Sequence, residues 1–407
     1  MSKQNKKSLM IIDNSDFAKR QFYGWRQQKA TSFGGIDLIH IDCNSAKSFL
    51  KISALILKIY ETLFFFIYRN NSLLYKYYFS KTSLLSRLII QCLGRGVAKL
   101  IYNKMSVSLF PGSSFNVNEL EDYDYIYLYV GAYSIEAHNI CNYIKKKNKK
   151  IFYQCLGWDN LTSKVPLMAG VSYLAPCKHT LKHINSIIDP SLSEESQVFP
   201  MPNHDIFKNI SSPLKKNGES GNPTRILVYF PVKKYPVNLL VNFLEKFKNM
   251  NYQVDYKIHP SLSFDNGLIR GVSSLVLEND GRFTLVSTAN NCSQKKYENP
   301  IDLLADYDVI ISPAGSILLE AAIQNKTCIA LAFGGLRFNY YGDILIRAKH
   351  FSGLCHDYGL FVAYDFFQLH YFLENLKQLI EVKATKNAAP QIDYDLFEDR
   401  LINLLLE

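Results

Sequence analysis

The chain has 407 residues, 48% of them hydrophobic and 20% charged, with a formal charge of +10. That length suits two domains of ordinary size, and the balance of apolar to charged residues excludes a disordered chain. Its eight cysteines form no CxxC pair and no zinc-like spacing, which excludes a zinc ribbon and reads as reduced core thiols of a cytosolic protein.

The basic start "MSKQNKK" runs into "LMIID" (9–13), too short an apolar run for a signal peptide and of the right length for a strand. Further strand-like runs follow: "IDLIHID" (36–42), "YDYIYLYV" (123–130), "KIFYQCL" (150–156) and "VSYLAP" (171–176). Helical or loop segments separate them, the alternation of a parallel sheet. A helix is expected over 134–147, where "KKKNKK" (145–150) complements the helix dipole.

The charge is concentrated in one place. Between Lys47 and Lys104 stand ten Lys/Arg against one acid, Glu61. The same segment holds "ISALILKIYETLFFFIYRNNSLLYKYYF", whose uncharged pieces are too short to span a bilayer. Two readings stay open: helices lying on an anionic membrane surface, or core helices with solvated basic faces. No nucleic-acid-binding motif accompanies the charge, so nucleic acid is not an expected partner.

After residue 207 the texture changes. "KNISSPLKKNGESGNPTR" is polar, rich in Ser, Gly, Pro and Asn, and reads as a linker over 208–224. A second α/β series follows: "RILVYF" (225–230), a helix over 237–249, "YQVDYKIH" (252–259), "RFTLVS" (282–287), a short helix over 300–305, "DVIIS" and "TCIALAF". The last forty residues show apolar spacing of three and four and read as helices. The predicted division is 1–207, a linker, and 225–407.

Three clusters carry polar chemistry at the carboxyl ends of predicted strands, where open α/β sheets bind ligands. In "YKIHPS", His259 ends a strand, with Lys257 two residues before it; both are placed to hold a phosphate. In "SPAGSILLE", a helix starting at Gly315 or Ser316 presents free N–H groups to an anion. Gly315 permits close approach, Ser312 and Ser316 offer hydroxyls, and Glu320 shares a helix face with Ser316, placed for ribose hydroxyls. In "GWDNLTSK", Trp158, Asp159 and Asn160 follow a strand; Asp159 is placed as a general base and Trp158 to stack on a sugar. Against these stand plainer readings: a loop-capping His, an N-capped helix, a buried Trp beside an Asx turn. His204 and Asp205, in "MPNHDIF" (201–207), fall near the junction of the two halves. "EDYDY" and "ADYDV" each sit at a strand start, opposite the ligand end, and are not read as a metal site.

Taken in order, "WDNLTSK", a closing "P.HDIF", "K.HP" and "LLADYDVIISPAGSILLEAAIQNKTCIAL" resemble bacterial GT-B-type glycosyltransferases of surface-polysaccharide assembly. Within that group the likeness is to glycerophosphotransferase-like proteins and His-Pro-containing glycosyltransferases, over residues of about 120–335. The resemblance implies two Rossmann-like domains, with the 45–110 segment inserted in the first. It implies a nucleotide-activated sugar, a pyrimidine nucleotide by family habit, bound by the second domain without a metal or other cofactor. His259, Ser312 and Ser316 would then hold its phosphates and Glu320 its ribose, with His259 and Asp159 as the catalytic pair. Trp158, Asn160, His204 and Asp205 would meet a glycan or lipid-linked glycan acceptor. The setting implied is the inner face of the cytoplasmic membrane. The turn "SPAGS" departs from the "TDYSS"-like turn of glycerophosphotransferases, which leaves a sugar donor ahead of CDP-glycerol. A nucleotide-sugar 2-epimerase-like enzyme and a non-catalytic assembly protein of the same fold are the other readings.

Overall fold

A computed structural model describes residues 7–15, 18, 19, 22, 32, 33, 36–43, 51–68, 84–131, 133–156, 166–168, 170–186, 196–202, 223–230, 240, 243, 244, 250, 252–258, 285, 286, 300–313, 315–333, 355, 356, 358–385 and 397–406. The chain folds as two units, one of Met1–Asn203 with Asp393–Glu407, the other of His204–Ile392.

The first unit is built on a seven-stranded sheet. Its strands are β1 (Ser8–Asp13), β2 (Ser32–Phe33), β3 (Ile36–Ile41), β4 (Tyr125–Val130), β5 (Lys150–Cys155), β6 (Ser172–Ala175) and β7 (Gln197–Val198), in the order β2-β3-β1-β4-β5-β6-β7. All neighbours pair parallel except β2 with β3. The central strands are apolar at successive positions because both faces are covered. Ile126, Leu128 and Val130 of β4 enter one core cluster, Tyr127 and Tyr129 the other.

On the first of these faces lie the helices of the basic segment, α1 (Lys51–Tyr68) and α2 (Leu84–Ser106), and then α3 (Ile135–Lys146). α1 buries Tyr60, Leu63 and Phe64 in the core, and α2 buries Ala98 and Tyr102. The Tyr60 and Tyr102 rings stack 4.7 Å apart, their hydroxyls 3.1 Å from one another. The core-helix reading therefore holds for the inner face of this segment. Its outer face is different: Leu55, Val97 and Leu100 are exposed, among the exposed Lys58, Lys99 and Lys104. Among the described residues no helix is long and apolar enough to cross a membrane.

The second unit has a six-stranded parallel sheet: β8 (Thr224–Phe230), β9 (Tyr252–Ile258), β10 (Leu285–Val286), β11 (Val309–Pro313), β12 (Thr327–Leu331) and β13 (Phe361–Ala363), in the order β10-β9-β8-β11-β12-β13. α4 (Lys178–Asn185) precedes it in the first unit; α5 (Pro300–Ala305), α6 (Ser316–Ile323), α7 (Phe366–Glu374) and α8 (Leu376–Thr385) follow in the second. Most of the predicted helix over 237–249, and the linker up to residue 222, lie outside the described residues.

The Asp-Tyr-Asp at the start of β11 forms a structural knot. Arg225 N–H donates to Asp308 at 2.9 Å, its guanidinium lies 3.7 Å from Asp255 and 3.8 Å from Asp306, and Tyr307 donates to Asp255 at 2.8 Å. In the first unit Asp124 likewise accepts from the Lys7 N–H, and Tyr123 donates to Asp37.

One boundary differs from the sequence-based expectation. The last helix, α9 (Phe397–Leu406), belongs to the first unit rather than to 225–407. Phe397, Leu401 and Leu405 fill the second core face beside Met10, Ile12, Tyr127 and Tyr129. Ser8 Oγ donates to the Leu405 carbonyl, and Arg400 to the Val198 carbonyl at 3.1 Å. Apolar periodicity marks a helix but not which face receives it.

Candidate functional site

Both sheets reverse strand order at their first strand, between β1 and β4 and between β8 and β11. In the second unit, four of the residues singled out in the sequence come together at that reversal. β11 delivers the chain to α6 through the turn around Gly315, whose extended backbone (φ −173°, ψ 166°) makes it the N-cap. Among the described residues no side chain caps this helix end. The Leu318 N–H goes to the Gly315 carbonyl at 3.2 Å, so the N–H groups ahead of it and the partial positive charge are what this end offers an anion.

Ser316 is exposed at the first helical position, and Glu320 follows it one turn on. Glu320 keeps some surface as a residue while its carboxyl group is enclosed. Burial pushes that carboxyl up to about 7, against the lowering effect of the Ser316 hydroxyl. Ser312 has another role than the one expected of it. It is fully buried, and its hydroxyl donates to the carbonyls of Tyr229 (3.1 Å) and Pro313 (2.8 Å). It ties the end of β11 to β8 and so sets the turn, rather than facing a ligand.

Lys257 comes from β9, paired with Tyr229 of β8. Only 4% of its surface is exposed, and burial lowers its ammonium to about 8. Its Nζ lies 5.6 Å from the centre of the Tyr229 ring. The same tyrosine feels the charge of Glu320, which with burial raises its phenol. Tyr229 thus lies near both the cation and the acid, a position that its place in "RILVYF" did not reveal. Only the pairing of β8 with both β9 and β11 brings it there.

His259 follows directly on β9 but lies outside the described residues. So do Trp158, Asp159, Asn160, His204 and Asp205.

The two Rossmann-like units, each an α/β sheet with a reversal at its first strand, define the GT-B architecture. Comparison with known proteins agrees on the fold. The chain is similar to a UDP-GlcNAc 2-epimerase from Neisseria meningitidis bound to UDP-GlcNAc (14% identity, TM-score 0.52, covering 98% of this chain and 99% of that one). It is similar to a second UDP-N-acetylglucosamine 2-epimerase (12%, TM-score 0.51, 99% and 96%) and to S. aureus MnaA in complex with UDP (12%, TM-score 0.50, 98% and 95%). No family model matches the sequence, and no curated protein matches it. At these identities the likeness establishes the fold.

Proposed function

We propose that the protein is a glycosyltransferase that moves a sugar from a nucleotide-activated donor, of the pyrimidine class, to a growing surface glycan. The observation that carries the donor half is the uncapped N-terminus of α6, flanked by Ser316, Glu320 and the buried Lys257 at the strand-order reversal of the second unit. Anionic phosphate is attracted by the helix end and by Lys257. An acceptor such as Glu320 suits ribose hydroxyls. As the bond to the sugar breaks, the leaving phosphate gains charge where those donors are already oriented, so the fold stabilises it without reorganisation. UDP or UDP-GlcNAc in two of the similar structures supports a uridine nucleotide as the first donor to try. His259 and Asp159 are proposed to complete the chemistry, and Trp158, Asn160, His204 and Asp205 to meet the acceptor.

The outer face of α1 and α2 supports a membrane-attached acceptor. Exposed Leu55, Val97 and Leu100 beside Lys58, Lys99 and Lys104 suit the headgroup region of an anionic bilayer.

A 2-epimerase is the second reading, favoured by the two similar structures named as such. A thermal-shift series with UDP, CDP, CMP, GDP and ADP tests the donor site, since a ligand that prefers the native state raises the melting temperature. A selective shift with one nucleotide is expected; no shift with any would remove the reading. Incubation with UDP-GlcNAc alone separates the two enzymes. Interconversion at the sugar C2 without an acceptor means an epimerase, and its absence, with nucleotide release on adding acceptor glycan, means a transferase.

A further inference from the structure

At one edge of the second unit's sheet, β13 pairs with β12 and, through it, with β11. All three strands are parallel, so the chain leaves β13 for α7 at the same end of the sheet as it leaves β11 for α6. There Asp365 caps α7, accepting from the Gln368 N–H at 2.8 Å, and the Gln368 side chain accepts from the Tyr364 N–H at 2.8 Å. The turn from strand to helix is thereby fixed from both sides. Leu369 and Leu373 hold α7 on the core, with the Phe366 ring 4.8 Å from Phe243 and 4.7 Å from Phe333.

The outer side of α7 is not the charged surface that such an anchored helix usually presents. Phe367 is 87% exposed, Tyr371 60%, and Tyr364, just ahead of the cap, 51%. Phe367 and Tyr371 stand four residues apart on one face, about 6 Å along the axis. His370 and Glu374 share that face and are joined to each other at 2.9 Å. Single exposed apolar residues are ordinary, but aligned aromatic rings left in water mark an interaction site.

Charge and area decide the occupant. Between residues 364 and 376 there is no Lys or Arg, and the acids are Asp365 and Glu374. Such a face offers nothing to a phosphate or an anionic bilayer, unlike α1 and α2, whose exposed apolar residues are Leu and Val among lysines. At about 200 Å² per fully buried ring, what these three still expose comes to roughly 400 Å², half of the ~800 Å² per partner that a stable protein interface needs. A small, uncharged ligand remains. The negative face of an aromatic ring suits the C–H face of a sugar, while the sugar's hydroxyls meet neighbours such as Glu374 and Gln368.

We propose that Tyr364, Phe367 and Tyr371 form a surface platform for an uncharged glycan chain, in addition to the donor site. The choice of a glycan rests on the transferase reading, in which the platform keeps the growing chain close to the enzyme between additions and so raises its effective concentration. A platform needs no cavity. Being open at both ends, it accepts successive sugar rings of a chain of any length.

The test is saturation-transfer NMR on the full chain with cellohexaose, maltohexaose and chitohexaose, and with glucose and GlcNAc. It is repeated on Phe367→Ala, Tyr371→Ala, the double variant and Phe367→Trp, with nucleotide thermal shifts on the same samples. At least one hexasaccharide is expected to bind the parent, more tightly than its monosaccharide and without competition from UDP. Affinity should fall about threefold to tenfold per ring removed, the scale of one aromatic contact, and hold or rise with Phe367→Trp. The alanine variants should melt with the parent, because these rings are exposed. Absence of hexasaccharide binding, competition by UDP, or unchanged binding in the double variant would overturn the platform. So would a dimer in sedimentation velocity that the double variant abolishes, since a second copy would then be the occupant. A nucleotide shift without hexasaccharide binding sinks only the platform; hexasaccharide binding without any nucleotide shift sinks only the donor reading.

Discussion

Ser316 and Glu320 share one face of α6, one turn apart, at a helix end that no side chain caps among the described residues. The serine hydroxyl favours the charged form of the glutamate carboxyl against its burial. The Leu318 N–H goes to the Gly315 carbonyl, and the N–H groups ahead of it are what that end offers beside the acid. Tyr229, raised by burial and by the Glu320 charge, lies with its ring centre 5.6 Å from the Lys257 Nζ. A cation, an uncapped helix end and a fixed acid are what a phosphorylated ribose can use.

Nucleotide affinity is expected to peak between about pH 7 and about pH 8. Glu320 is ionised above about 7, and Lys257 carries its charge below about 8. Titration calorimetry across that range checks it. Glu320→Gln should flatten the acid limb and Lys257→Met the alkaline limb, each weakening binding about tenfold.

Glu320 also shapes stability. Its folded carboxyl keeps the proton to about 7, above the ordinary 4.5 of the unfolded chain. The folded state thus binds more protons in that interval, and stability falls as pH rises through it. Glu320→Gln removes this slope and is expected to gain about 2 kcal/mol at pH values above the window. Urea melts at either end of the range measure it; equal slopes in parent and variant would contradict it.

Tyr60→Ala should cost about 3–5 kcal/mol, the usual loss for a large aromatic removed from a core. It would leave a void against Tyr102 and Phe110, whose rings lie 4.7 and 5.6 Å away. Denaturant unfolding is the measurement, and a loss below about 1 kcal/mol would deny the helix its place in the core.

Leu100→Glu should leave the melting temperature unchanged, since Leu100 is 72% exposed. The same change is expected to release the protein from vesicles containing phosphatidylglycerol in a sedimentation assay. Equal sedimentation of variant and parent would argue that this face does not meet lipid.

Arg225→Leu should cost about 2 kcal/mol, less than a fully buried pair because the arginine is 30% exposed on its side chain. It leaves Asp255 buried without that cation, while Tyr307 still donates to it at 2.8 Å. Nucleotide binding, on the other end of the strands, should not change.

Much of this fold can be read along the chain. The strand runs at 9–13, 150–156 and 225–230 fall within a residue of β1, β5 and β8, because buried parallel strands are apolar without interruption. The short helix over 300–305 is equally plain. β13 escaped notice because three residues carry too little pattern. At the site, Ser316 and Glu320 are legible through helical spacing, whereas Tyr229 is not. Its meaning depends on which strands become neighbours. Ser312 shows the converse: its residue type suggests a ligand contact, but its depth in the turn gives its hydroxyl to the main chain.

The position of α9 has a consequence for synthesis. The second unit is encoded wholly inside the first, whose α9 is made only after it. The sheet face bearing Met10, Ile12, Tyr127 and Tyr129 must therefore wait, uncovered by Phe397, Leu401 and Leu405, while the entire second unit is made. Domains that complete in order of synthesis avoid such a delay. Here the nascent chain carries an open apolar face through the whole synthesis of the second unit, which is the interval in which a chaperone would find it.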